Sequence, residues 1–376
     1  MFFRRRTILR LFGGSFYKSK VILAITVILF LLGFIFSHFM ISSEVLYSFM
    51  PDGDWTQNNG FIFYKATVDK PNNLDKLVSY TSKGMPGRDM SLWQDKSGRI
   101  YGAVTNYNLS QGFETTIYTG YDVHHLTPHY VNLGIRKVAE AEGREVHQIW
   151  APEFFEDKSN QSVYLLAVAN DRGQTIDKNN ETIFQHSLYI SQMDMDDFIS
   201  KKSWKLNLKS SKNYIDPSIF YRNGVYHLLV KDEYQKTIDY YQSNDLKSWK
   251  LIQEDYLSYT LGSPIDYTEG QFILQLNKTY YIYFDKYEGT TNFLKNQYVI
   301  STKDFKNFTK PVVVTDKNET ILRHGSGILY VKKPYAIIMV LNSCGVITSL
   351  LSILFIIDDM IRWKKSTSKK LINLIL

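Results

Sequence analysis

The sequence predicts an all-β fold, a five-bladed β-propeller, with an N-terminal transmembrane helix and a second one near the C-terminus. Three observations predict it: short aromatic strands fill the middle of the chain, one pattern recurs there five times, and two long apolar runs flank it.

The strands come first. The 376 residues include 27 Tyr and 23 Phe, and such residues favour half-buried strands over helices. No amphipathic helix of ordinary length stands out between residues 55 and 335. The charged stretch from Ile135 to Val146 reads as part of a loop. Charged residues make up 22% of the chain, too many for a polytopic membrane protein and too few for a disordered one. The single cysteine excludes an intramolecular disulfide framework and a cysteine-based zinc site.

The repeat comes next. Five stretches align: RDMSLW (88–93), WAPEFF (150–155), IDPSIF (215–220), TEGQFI (268–273) and RHGSGI (323–328). Their second positions are Asp89, Ala151, Asp216, Glu269 and His324. After each comes a turn and then a strand with a tyrosine: Tyr101, Tyr164, Tyr226, Tyr281 and Tyr335. The turns carry Lys96-Ser97-Gly98, Asn223-Gly224 and Asn277-Lys278, all suited to hairpins. A later element recurs as YYQSNDLKSWKLI (240–252) and YVISTKDFKNFTKPVVV (298–314), in which a strand ends at Ser and an Asp-apolar turn follows. Repeats of this length with three or four strands indicate propeller blades. The fifth blade is short of strands, and FIFYKAT (61–67) is the candidate to complete it.

Innermost strands of a propeller line a central channel, so equivalent positions converge. Asp89, Asp216, Glu269 and His324 should therefore meet around one pocket. Three carboxylates and a histidine are unfavourable as core residues and make sense as a site. Of the nearby aromatics, Trp150 is the one expected to face the pocket.

Together, in order and at blade spacing, these motifs resemble glycoside hydrolase family 43 and its five-bladed relatives, the arabinofuranosidases, xylosidases and arabinanases. The resemblance covers roughly residues 84–330. It implies that Asp89 is the general base, Glu269 the general acid, and Asp216 the carboxylate that orients the acid and tunes its pKa. It implies substrate-binding roles for Trp150, Arg323 and His324. It requires no cofactor, and it leaves Ca2+ at the propeller centre, beside His324, as the one candidate ion. Met90 stands where relatives commonly have proline, a change that affects loop stiffness more than chemistry. Glycosidic cleavage needs one protonated carboxyl beside the leaving oxygen and one ionised carboxylate. A third carboxylate near the acid raises its pKa by like-charge repulsion.

The ends complete the reading. Residues 21–41 and 336–357 are apolar runs of bilayer-spanning length. The first 20 residues hold six basic residues and no acid, and residues 358–376 hold five basic against two acidic. Of the net charge of +7, only −2 is left for the middle, so no basic nucleic-acid surface is indicated. The expected order is a basic cytoplasmic N-terminus (1–20), a signal anchor (21–41), an external propeller (55–335), a second span (336–357) and a basic cytoplasmic tail (358–376). The expected function is a membrane-anchored, outward-facing, inverting glycoside hydrolase. Its partners would be the membrane and an oligo- or polysaccharide with arabinosyl, xylosyl or galactofuranosyl residues. The alternatives are an inactive glycan-binding propeller and a structural subunit of an envelope polysaccharide system.

Overall fold

The computed structural model describes residues 21–35, 42–51, 60–80, 87–105, 112–262, 265, 267–287, 294–332, 340–351, 353–354, 356–357 and 361. The chain divides into two units. Ser43–Tyr330 forms one, and the two ends, Met1–Ser42 and Val331–Leu376, form the other.

The larger unit is five four-stranded antiparallel sheets. Blade 1 contains β1 (Ser42–Pro51), β2 (Phe61–Thr67) and β3 (Lys70–Tyr80). Blade 2 contains β4 (Arg88–Gln94), β5 (Ile100–Thr105), β6 (Thr115–Gly120) and β7 (Thr127–Val131). Blade 3 contains β8 (Gln148–Asp157), β9 (Ser162–Ile176), β10 (Thr182–Asp194) and β11 (Ile199–Lys205). Blade 4 contains β12 (Tyr214–Arg222), β13 (Val225–Asp232), β14 (Thr237–Ser243) and β15 (Trp249–Gln253). Blade 5 contains β16 (Thr268–Leu276), β17 (Thr279–Tyr287), β18 (Leu294–Thr302) and β19 (Val312–Val314).

The last strand, β20 (Leu322–Lys332), opens no sixth sheet. It takes the inner place in blade 1, in the order β20-β1-β2-β3. RHGSGI is thus the inner strand of a blade whose other strands come from the start of the chain, and residues 61–67 do help to complete it. The propeller begins at β1, before the expected residue 55. Tyr335 lies outside the described residues, and the tyrosine on the neighbouring strand is Tyr47.

The blades pack through aromatic side chains. Tyr47 and Phe49 of blade 1 meet Tyr283 and Phe272 of blade 5, with ring centroids 5.7 and 6.3 Å apart. All four are buried, and large rings of this kind dominate core energetics. β5 is buried along its whole length, since sheets lie on both sides of it.

Ile135 to Val146 is not wholly a loop. Ile135–Ala141 forms a short helix, α1, with Ile135 and Ala139 buried one turn apart. Glu114 accepts the N–H groups of Ile135 and Arg136 at 3.1 and 2.8 Å, replacing partners that the first turn lacks. The other helix of this unit, α2, is Tyr256–Leu261.

In four inner strands the pairing slips at one place: between Arg88 and Ser91, Trp150 and Glu153, Ile215 and Ser218, and Glu269 and Phe272. Each slip is a bulge whose first residue is left-handed: Asp89 (φ 53°), Ala151 (46°), Asp216 (50°) and Gly270 (56°). In β20 the left-handed residue is His324 (φ 42°). The shared column is therefore Asp89, Ala151, Asp216, Gly270 and His324. Reading Glu269 into it was off by one residue, because glycine takes the left-handed place in blade 5.

The smaller unit has helical backbone at residues 21–35 and 340–351, and again at 353–354 and 356–357. The two segments pack antiparallel. Thr26 Oγ1 lies 2.7 Å from Thr348 Oγ1, a Cβ on Gly33 would meet Asn342 Oδ1 at 2.7 Å, and one on Gly345 would meet the Phe30 ring at 2.9 Å. Leu23, Val27, Leu31, Ile347 and Leu354 are exposed on the outside. Among the described residues, no helix is long and apolar enough to cross a membrane. Residues 36–41, 336–339, 352 and 355 of the expected spans lie outside the described residues, as do 1–20 and nearly all of 358–376.

Candidate active site

The inner strands deliver their bulges to one cavity of about 380 Å3. Arg88 and Asp89 from β4, Trp150 and Ala151 from β8, Ile215 and Asp216 from β12, Glu269 from β16 and His324 from β20 all line it. Lys231, Glu233, Lys236 and Tyr287 come from the ends of second strands and from the turn after β13. A second, smaller cavity of about 20 Å3 has Glu153, Asp216, Gln271 and His324 in its wall.

Asp89 is buried. Its Oδ2 accepts the Thr105 hydroxyl at 2.9 Å and lies 3.0 Å from Arg88 Nε; its Oδ1 is 3.5 Å from His324 Nδ1. Burial favours the protonated form, but Arg88 and His324 outweigh it and hold the pKa below the usual aspartate value. Thr105 also accepts the Ala151 N–H at 2.8 Å, which ties blade 2 to blade 3 at this point.

Asp216 differs. Its Oδ2 accepts the Gly270 N–H at 3.1 Å, and its Oδ1 is 3.9 Å from His324 Nε2. Burial raises its pKa, His324 opposes, and the Glu269 charge adds to the rise. Gln271 also donates to the Asp216 carbonyl.

Glu269 is held by cations. Lys231 Nζ donates to Oε2 at 2.5 Å, the Tyr287 hydroxyl donates to Oε1, and Arg323 Nη2 is 3.5 Å away. Burial opposes ionisation here too, but Lys231 and Arg323 prevail and lower the pKa strongly. This reverses the order expected from the residue types: burial, helped by the Glu269 charge, lifts Asp216, while Glu269 is the ionised partner. Lys231 is shared, with Glu233 Oε2 at 2.7 Å.

Asp285 is fully buried. It accepts the His324 N–H at 2.9 Å, and burial pushes its pKa up to about 7. Glu153 is pushed up to about 8 by burial, against a hydrogen bond with Ser91. His324 faces Asp89, Asp216, Asp285 and Glu269, whose charges overcome its burial and raise its pKa.

Five of the six expected site residues, Asp89, Asp216, Glu269, His324 and Trp150, line one cavity. Arg323 does not. It is buried at 2% exposure behind Glu269, where its Nη2 donates to the Tyr287 hydroxyl at 2.5 Å. Trp150 has Arg88 over its ring at 5.7 Å. Sequence reasoning missed Lys231, Glu233, Asp285 and Tyr287. Their signal was a burst of charge ending a buried apolar strand, in VYHLLVKDE and YYIYFDKYE.

Glu269, Asp285 and His324 place ligand atoms within 4.8 Å of one another. The set does not suit Ca2+, which takes about six to eight oxygens. One donor here is an imidazole, and Lys231 and Arg323 already neutralise Glu269.

A closed ring of five four-stranded blades with ionisable groups gathered at the channel mouth defines a propeller built around a polar pocket. Residues 88–297 match the family model for a probable glycosyl hydrolase domain related to glycoside hydrolase family 43. The chain belongs to that family, and with it to the glycoside hydrolases. No curated protein matches the chain. Among solved structures it is similar to a thermostable family-43 glycoside hydrolase, at 10% identity and a TM-score of 0.49, over 71% of this chain and 95% of that one. An endo-1,4-β-xylanase from Bacteroides thetaiotaomicron is similar at 13% identity and 0.48, over 72% and 91%. An endo-arabinase from the same organism is similar at 14% and 0.47, over 68% and 88%.

Proposed function

We propose that this chain is an inverting glycoside hydrolase, held at the outer face of a cell membrane, that releases arabinosyl, xylosyl or galactofuranosyl residues from a glycan. The observation that carries the reading is the convergence of Asp89, Asp216 and Glu269, from three blades, on one cavity beside His324.

Asp89, kept ionised by Arg88 and His324, takes a proton from the attacking water. Glu269 gives a proton to the leaving oxygen, and the Asp89 proton then returns to Glu269 through solvent. In the open cavity Glu269 favours the ionised form. For turnover Glu269 takes up a proton from solvent, against the pull of Lys231 and Arg323, before the substrate seats. Asp216 holds the Gly270 N–H, next to the acid, and so fixes the strand that carries it.

Membrane attachment is supported by the paired helices with apolar outer faces and by the basic residues at both ends. The basic residues at both ends support a topology with both ends on the cytoplasmic side, where positive charge is retained, and the propeller outside. Protease added to intact cells should remove the propeller and spare tags at both termini; loss of a C-terminal tag with the propeller would eliminate the second span.

The ion pairs of Glu269 favour one second reading, a glycan-binding propeller without turnover, because Lys231 and Arg323 stabilise the form that cannot donate. A panel of aryl pentosides and furanosides on the purified full chain separates the two. Turnover that Asp89→Asn abolishes supports the hydrolase. Glycan binding with no turnover by the unaltered chain supports the second reading. The anomer first released, read by proton NMR, tests inversion.

A further inference from the structure

We propose that the tip of the β9–β10 hairpin closes one end of the cavity, so that the site admits the terminal sugar of a chain and trims glycans from their ends. The proposal rests on the hydrolase reading above.

β9 and β10 have 15 and 13 residues, longer than any other described strand of the propeller. β8 pairs with β9 only as far as Asn170, and β11 pairs with β10 only from Tyr189 outward. Beyond these points, towards the Ile176–Thr182 pair, the hairpin leaves its sheet as a two-stranded arm. Such a ribbon is marginally stable alone. This one is anchored by its tip.

Asp177, 3% exposed, accepts the N–H groups of Asn179 and Glu181 at 2.8 and 2.9 Å and pairs with Lys236 at 3.3 Å. Tyr267 donates to Asn179 Oδ1 at 3.2 Å, and Lys178 lies over the Tyr267 ring at 4.6 Å. Lys236 also accepts the Thr268 N–H on its carbonyl at 3.0 Å. The tip is thus fastened to the segment that leads directly into Glu269.

The fastening places Asn179 and Glu181 in the cavity wall. An endo-acting site needs a cleft open at both ends for a polymer to pass through. A polar wall standing beside the proton donor blocks one of those ends. The cavity of about 380 Å3 is also small, near the ~300 Å3 lower bound of ligand pockets. Asn179 and Glu181 together offer amide and carboxylate groups matched to the hydroxyls of a terminal sugar.

The full chain in detergent is tested in two ways. Linear arabino- and xylo-oligosaccharides labelled at the reducing end should lose one sugar at a time. A ladder of internal fragments in the first turnovers overturns the proposal and leaves the hydrolase reading standing. Calorimetric titration with arabinose, xylose and galactose uses Asp89→Asn protein, with and without Asn179→Ala/Glu181→Ala. At least one sugar should bind, and the double change should weaken it about tenfold, the loss of one or two hydrogen bonds. Glu181 is exposed and Asn179 is partly buried, and an unchanged melting curve verifies folding. Unchanged affinity in the double variant, or no binding of any monosaccharide, overturns the proposal. Binding that the double change weakens, with no hydrolysis of any substrate, supports the wall and sinks the hydrolase reading.

Discussion

Blades 2 and 5 use the same bulge and place their carboxylates differently. In blade 2 the left-handed residue is the carboxylate itself, Asp89, at φ 53°. In blade 5 that place belongs to Gly270, at φ 56°, and Glu269 stands one residue earlier. The step changes the company each keeps. Asp89 meets Thr105, Arg88 and His324, whereas Glu269 meets Lys231, Tyr287 and Arg323 at the ends of neighbouring strands. A common backbone device fixes where a group sits, and a one-residue shift decides which charges it feels.

The largest test of this contrast is Asp89→Asn. Water must be activated whatever the leaving group, so the loss should be on the order of 10²–10⁴-fold on every glycoside. Glu269→Gln should lose on the same scale for alkyl glycosides and far less for an activated aryl glycoside, whose departure needs no proton. Equal losses for the two variants across leaving groups would undo the assignment of roles.

Smaller effects should appear in the pH profile. As the proposed acid Glu269 would act protonated, so its pKa would set the alkaline limb. Lys231→Met removes a cation that lowers this pKa, and the alkaline limb should move to higher pH. Asp216→Asn removes a like charge, so the same limb should move to lower pH. Shifts in the same direction from both variants would show that at least one of the two groups does not act on Glu269 through its charge.

Stability sharpens the contrast in the backbone. Gly270→Ala puts a side chain into a left-handed residue and against His324 Nδ1 at 3.2 Å. It should cost roughly 1–2 kcal/mol. Ala151→Gly relieves the same conformation in blade 3 and should leave the melting temperature level or higher. The smallest effect belongs to chelation: a strong chelator should change turnover less than about twofold, since the donor set beside His324 does not suit Ca2+.

The sequence made the blades legible because their inner strands repeat a bulge, and a bulge needs particular residues near one point. It brought Asp89, Asp216 and His324 into true register. Glu269 was placed one position out, because charge was aligned where conformation was shared. Lys231, Asp285 and Tyr287 were not legible, since each lies on a second strand and reaches the site only across the sheet. Arg323 was misjudged for a related reason. Its neighbours in the column, Arg88 and Trp150, face the cavity, but it is covered by Glu269 and Tyr287. Nothing in the spacing foretold the long arm of blade 3, whose tip is held by contacts between distant residues, Asp177 with Lys236 and Asn179 with Tyr267.

The seat of β20 inside blade 1 has a consequence for synthesis. A ribosome delivers β1, β2 and β3 first, and the inner edge of β1 then stays bare until Leu322–Lys332 emerges. An unpaired edge of this kind is a template for wrong pairing, and closure between the two ends of a chain is intrinsically slow. The same late strand carries His324 and Arg323. A nascent chain therefore gains its histidine, the arginine behind Glu269 and its closed ring in one event, and no partly made propeller has the complete cavity before the ring is shut.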